Sequence, residues 1–252
     1  MADNNSKEPP TAEQTALQPT LDHDLRSPYY CEENAWRLVY RHLHNNTIIS
    51  SGWHYNVVFI SNHHRCCVMF HQKAAEKEYV CWDYHVIVIR SRFDNDSIAK
   101  GTTQVLDVDT NLSPYPCPLG EYLDGSFPHC AAATAKNTIK ISSSRMDETI
   151  LPMFRVIDAS EYLERFYSDR SHMYKDGEWS APPPEYLPIM NGLRFRGECG
   201  TGDGDGNSNN DCDEEKVSNL ESYINMMSES CSTERRVGSR PLSLEEFRQR
   251  FS

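Results

Sequence analysis

Apolar positions along this chain follow two rhythms. Between Cys31 and about Leu43, Trp36, Leu38, Val39, Tyr40 and Leu43 recur at helical spacing, and Glu32 and Glu33 suit the positive end of a helix dipole. From Tyr55 to Ser61 the run YNVVFIS is β-branched and aromatic and predicts a strand. A second strand is expected at Cys66–Phe70, after a hairpin near Asn62–Arg65. A long apolar strand is expected at Tyr79–Arg90, with Gln104–Val108 as its antiparallel neighbour. Turn chemistry fills Ser91–Thr103, and Pro114, Pro116 and Pro118 interrupt regular structure. Phe154–Ile157 predicts another strand, and Asp158 with Glu161 resembles an acidic capping box opening a helix through Phe166. Pro182–Pro184 predicts an extended polyproline stretch. Ser243 with Glu246 forms a second capping box, starting a closing helix over 243–251.

Two stretches lack these rhythms. Residues 1–27 are polar and contain prolines, and are expected to be a disordered tail. Residues 28–252 are expected to form a single domain interrupted by a flexible insertion at about 197–216, where seven acids precede the first base. The formal charge of -12 argues against a nucleic-acid partner, since phosphate contact needs clustered Lys and Arg. No apolar run is long enough to span a membrane, and Met1–Thr20 lacks a secretory h-region. Nine cysteines, an odd number, then read as reduced thiols of the cytosol, with the nucleus open to a 29.0 kDa chain. No heptad predicts self-pairing, so a monomer is expected.

Against that background three residues carry candidate chemistry. Cys31 sits where a loop enters a helix, a place where outward N–H groups and the dipole lower a thiol's pKa and can receive an oxyanion. The competing reading is an inert, buried thiol, which is what most cytosolic cysteines are. His85 lies inside an otherwise apolar strand and needs a partner if buried. Asp107 lies in the next predicted strand, where cross-strand neighbours approach within about 5 Å. A helix-start Cys followed by a His and an Asp on adjacent strands is the order used for acyl transfer in papain-like and transglutaminase-like folds. Spacing leaves rivals open: Asp109 shares the strand face with Asp107, and Asp83 lies beside His85.

Other clusters fit chemistry less well. His63, His64, Cys66 and Cys67 are zinc-ligand types, but their compressed spacing sends alternate side chains to opposite faces, which favours a polar hairpin. Asp203, Asp205, Asn207 and Glu214 match some positions of a calcium loop, yet Ser208 stands where the turn glycine belongs. No metal or other cofactor is therefore expected. Ser168–Met173 (SDRSHM) is dense in polar groups, with Arg170 expected to pair with an acid and shape the site.

Several segments resemble the protein N-terminal glutamine amidohydrolase family. They are Tyr30-Cys31-Glu32-Glu33-Asn34 with Trp36, Val58–Asn62, Trp82-Asp83-Tyr84-His85-Val86, Asp107–Thr110, Phe154–Ile157, Ser168–Met173, Pro182–Pro184 and Leu242–Phe247. The resemblance implies an α/β (α+β) fold: a central, mostly antiparallel sheet flanked by helices, of papain and transglutaminase-like architecture. It implies a Cys-His-Asp triad at Cys31, His85 and Asp107, acting on proteins or peptides whose first residue is glutamine. Glutamate and ammonia would result, and in eukaryotes the new glutamate can be arginylated and marks the protein for degradation. Recognition of a free α-ammonium calls for a carboxylate, and Glu32, Glu33, Asp83 and Asp109 are the candidates. The acidic Gly197–Lys216 stretch and much of the region up to Arg240 depart from the family as an insertion before the final helix. A papain-like peptidase, a transglutaminase or an inactive adaptor are the competing functions.

Overall fold

The computed structural model describes residues 22–44, 52–92, 102–128, 130, 151–192, 217–227 and 238–252. Helix α1 (Cys31–His44) leads into β1 (His54–Ser61), β2 (Cys67–Phe70), β3 (Tyr79–Trp82), β4 (His85–Arg92), β5 (Thr102–Leu106) and β6 (Cys117–Pro118). Then follow α2 (Leu119–Ser126), β7 (Met153–Asp158), α3 (Ala159–Arg165), β8 (Tyr174–Lys175) and β9 (Glu178–Trp179). Helix α4 (Leu220–Ile224), β10 (Leu242–Ser243) and α5 (Leu244–Phe251) complete the order.

Six strands form one sheet in the order β10-β7-β1-β4-β5-β6, each neighbouring pair antiparallel. The central strands read as nearly continuous apolar runs because both of their faces are covered. One face presents Val57, Phe59, Val86, Val88 and Leu106 to α1, α3 and α4. The other presents Val58, Ile60, Ile87, Ile89, Val105, Phe154 and Val156 to α2 and α5. The fold is thus α+β, with helices on both sides of an antiparallel sheet. Among the described residues no helix is long and apolar enough to cross a membrane.

Four expectations need revision. The run expected as one strand, Tyr79–Arg90, is two: β3 pairs with β2 in a separate ribbon, and the chain breaks at Asp83–Tyr84 before β4 joins the main sheet. There Ser61 Oγ donates to the Asp83 carbonyl at 2.5 Å and the Tyr84 N–H donates to Asp83 Oδ1 at 3.0 Å. The only local mark of the break is Asp83, a residue with low strand propensity inside an otherwise apolar and aromatic run. The strand expected at Gln104–Val108 ends at Leu106, so Asp107 and Asp109 stand beyond it. The tail expected over 1–27 is ordered in its last part, because Asp22 and Leu25 are buried and Asp22 holds His42 at 3.1 Å. Finally, 217–227 belongs to the core rather than to an insertion, since Leu220, Tyr223, Ile224 and Met226 are all buried. The acidic stretch 197–216 lies outside the described residues.

Candidate active site

The approach to α1 is closed by side chains. Asn34 takes the Ser27 N–H at 2.8 Å and donates to the Ser27 carbonyl at 2.9 Å, while buried Tyr30 donates to the Ala181 carbonyl at 3.1 Å. Tyr29 is forced to a left-handed φ of 69°, a conformation costing about 1–3 kcal/mol for such a residue. That turn delivers Cys31 as the first residue of α1, at the wall of a cleft of about 520 Å³, a volume suited to a small-molecule or side-chain substrate. Tyr29, Trp82, Asp83, Tyr84 and His172 line the cleft beside it.

The thiol does not behave as the helix start alone predicts. Burial, followed by the charges of Glu32 and Asp109, pushes it well above its ordinary value, and only the Val86 backbone N–H opposes this. Desolvation outweighs the dipole here because Cys31 as a residue is only 7% exposed. The Val86 N–H is thus within hydrogen-bonding reach of the sulfur, one residue after His85 at the start of β4.

His85 and Asp107 are brought together, although not as cross-strand neighbours. Extending the β4–β5 register from Val88–Leu106 by three steps sets Asp109 opposite His85. The chain instead turns after Leu106, and Asp107 Oδ2 comes within 3.2 Å of His85 Nε2. Three donors fix that carboxylate: Tyr122 Oη at 2.8 Å, Gln72 Nε2 at 3.2 Å and the Asp109 N–H at 2.9 Å. The imidazole edge is off the line of a linear hydrogen bond, so charge is the main attraction. Burial lowers His85, but the charge of Asp107, with Asp109 adding to it, holds it above its usual value. Burial raises Asp107, yet the His85 charge and the three donors hold it below the usual carboxylate range. The opposite nitrogen, Nδ1, is buried without a hydrogen-bond partner among the described residues. Trp82 stacks on the ring at 5.7 Å and 14°, sheltering it from the cleft.

The four candidate carboxylates separate by their partners. Glu33 is fully buried and bound by Arg170, Nε to Oε1 at 2.7 Å and Nη2 to Oε2 at 2.8 Å, which leaves it a structural role. Asp109 is held by Arg26 at 2.6 Å. Glu32 is sealed behind the cleft, where Tyr84 Oη donates to its Oε2 at 3.0 Å and the Cys31 thiol points at the same oxygen from 3.7 Å. Burial raises Glu32 to about 8, while its Oε1 has no hydrogen bond among the described residues and lies 3.5 Å from His172 Nε2. Asp83 is exposed in the cleft; the other carboxylate lining that cleft, Glu221, is ion-paired with Arg65.

Some participants had weak signals in the sequence. His172, whose Nε2 lies 3.2 Å from Tyr84 Oη, belongs to the polar SDRSHM segment but had no pattern to distinguish it. Gln72 and Tyr122 come from a loop and a helix with no local mark of chemistry. Among the other clusters, Cys67 is buried in the second core face while His63 and His64 are exposed, and the calcium-like positions lie outside the described residues.

With this geometry in view, comparison with known proteins is decisive: the model of the N-terminal glutamine amidase family matches residues 26–251. The chain belongs to that family. One relative of the N-terminal glutamine amidase group, the protein N-terminal glutamine amidohydrolase of Arabidopsis thaliana, is 35% identical over 167 residues, covering 65% of this chain and 67% of its own. The Homo sapiens protein of the same name is 34% identical over 182 residues, 69% of this chain and 75% of its own. That of Danio rerio is 32% identical over 183 residues, 72% of this chain and 80% of its own.

Proposed function

We propose that this protein hydrolyses the side-chain amide of an N-terminal glutamine to glutamate and ammonia, with Cys31 as nucleophile, His85 as general base and acid, and Asp107 as the orienting carboxylate. The observation that carries the mechanism is the polarity of His85. Nε2 lies 3.2 Å from the Asp107 carboxylate, which leaves the opposite nitrogen, Nδ1, buried without a hydrogen-bond partner among the described residues, to take the proton of the Cys31 thiol. Because burial keeps the thiol protonated, the nucleophile is generated by proton transfer to His85 as substrate enters, rather than standing ready as a thiolate.

The thiolate attacks the carboxamide carbon, and the oxyanion is received by N–H groups at the head of α1 and by that of Val86. The His85 imidazolium protonates the departing amine, leaving a γ-glutamyl thioester and free ammonia. Water then gives its proton to His85, attacks the thioester and releases glutamate with the thiol restored. Throughout, Asp107 stabilises the charged ring and holds its orientation. Asp83 is the cleft carboxylate free to meet the substrate α-ammonium, which restricts action to the first residue. Exposing glutamate in this way feeds a degradation pathway that begins with arginylation of the new terminus.

The test is mass spectrometry of a Gln-starting peptide after incubation, with ammonia release followed in parallel. Conversion to the acid is expected without chain cleavage or amine incorporation, and it should collapse when the α-amine is acetylated. Cys31→Ala should lose at least ~10³-fold in rate with its circular dichroism unchanged. Peptide cleavage would instead indicate a peptidase and amine incorporation a transglutaminase. Full activity of Cys31→Ala would end the proposal.

A further inference from the structure

Two cysteines outside the amidase machinery face each other at the cleft rim. Asn62 pins the turn before β2, accepting the His64 and Cys66 N–H groups on Oδ1 at 3.0 and 3.1 Å and donating to the Cys66 carbonyl at 2.6 Å. The β2–β3 register pairs Cys67 with Trp82 and Val68 with Cys81. Side chains alternate along strands, so Cys66 and Cys81 share one face as diagonal neighbours while Cys67 points the other way. Their sulfurs stand 2.6 Å apart, inside any ordinary non-bonded contact and roughly 0.5 Å beyond a disulfide bond. Cys81 is exposed and Cys66 partly so, whereas Cys67 is sealed in the core and Cys31 is buried.

We propose that Cys66 and Cys81 are a reversible dithiol–disulfide pair, oxidised by low-molecular-weight disulfides, whose closure clamps one wall of the cleft. Partial burial, the hydrogen bond to Cys66 and the Cys66 charge push Cys81 up to about 11, and exchange opens at Cys66. The Cys66 sulfur attacks one sulfur of the small disulfide, forming a mixed disulfide and releasing one small thiol. Cys81 then attacks the Cys66 sulfur, the mixed bond breaks, and a second small thiol leaves. Two electrons pass from the protein dithiol to the small disulfide, and the two thiol protons leave with the two small thiols.

The consequence for the cleft follows from the neighbours in sequence. Arg65 precedes Cys66 and Trp82 follows Cys81, and both line the cleft. Arg65 reaches Glu221 on α4, and Trp82 stacks on His85 and meets Tyr29 edge-on at 6.1 Å. A covalent link between Cys66 and Cys81 therefore couples the Arg65–Glu221 contact to the indole that shelters His85.

The test uses the full chain, treated with oxidised glutathione, blocked with N-ethylmaleimide and digested with trypsin. A link is expected between the peptides 66–73 and 78–90, mapped by fragmentation to Cys66 and Cys81, and reversed by dithiothreitol. It should persist in Cys67→Ser and vanish in Cys66→Ser and Cys81→Ser. Oxidation should shift KM for a Gln-starting peptide a few-fold in the wild type and leave Cys81→Ser unchanged. No link, a link through Cys67, or glutathione remaining on Cys66 would overturn the pair. A Cys66–Cys81 link with unchanged KM would overturn the clamp.

Discussion

Glu32 controls the charge next to the Cys31 sulfur. Its carboxyl is completely buried and raised to about 8, so near pH 7 it is neutral and does not oppose a thiolate 3.7 Å away. Above about 8 it ionises, and thiolate formation meets a like charge. His85, held above 6.5, must be neutral to take the thiol proton. The pH profile of kcat/KM should therefore be a bell, rising through a midpoint above 6.5 and falling near 8. Glu32→Gln should abolish the alkaline limb; persistence of that limb would assign it elsewhere. The same shift bears on stability. The folded state keeps a proton that the unfolded chain gives up between 4.5 and about 8, so stability falls as pH rises across that window. The Tm advantage of Glu32→Gln should grow from pH 4.5 to 8, and a constant difference would refute the assignment. Asp107→Asn should move the acidic limb downward, because burial then dominates His85, and reduce kcat by about 10³–10⁴-fold.

The closing helix separates capping from packing. In α5, Ser243 Oγ accepts the Glu246 N–H at 3.3 Å and Glu246 Oε2 accepts the Ser243 N–H at 2.8 Å, both in exposed positions. Phe247 is fully buried and stacked on Phe154 of β7 at 4.5 Å and 6°. Its removal opens a cavity in the second core face, on the side of the sheet away from α1. Phe247→Ala should cost about 3–5 kcal/mol in urea unfolding. Ser243→Ala should cost about 0.5–2 kcal/mol, and comparable losses from the two would show that the cap, not the ring, secures the helix.

At the scale of the molecule, Arg170 ties distant segments to the head of α1. Besides Glu33 it binds the Pro184 carbonyl at 3.2 Å and the Tyr186 carbonyl at 2.9 Å, and its guanidinium faces the rings of Tyr186 and Tyr30. Arg170 itself adopts a left-handed φ of 67°, a strain accepted to reach those partners. Arg170→Met should cost about 3–5 kcal/mol, because Glu33 is left buried and unpaired. Adding Glu33→Gln should recover a large part of that loss in chemical denaturation. No recovery would mean that the carbonyl contacts, not the ion pair, carry the effect.

Local rhythm was enough to place much of this molecule. The apolar spacing after Cys31, the β-branched run through β1, the Asp158 N-cap and the Ser243–Glu246 capping box each specify an element through period and hydrogen-bonding chemistry within a few residues. The ordered motifs likewise brought Cys31, His85 and Asp107 forward as candidates. Tertiary structure decided what depends on distant segments. It broke the run before His85, because β3 pairs elsewhere, and it chose which acid meets the imidazole, because Tyr122 and Gln72 hold Asp107 after the chain leaves its strand. It also reversed the expected shift at Cys31: a dipole is encoded by one helix, whereas the burial that exceeds it is made by everything packed around the sulfur.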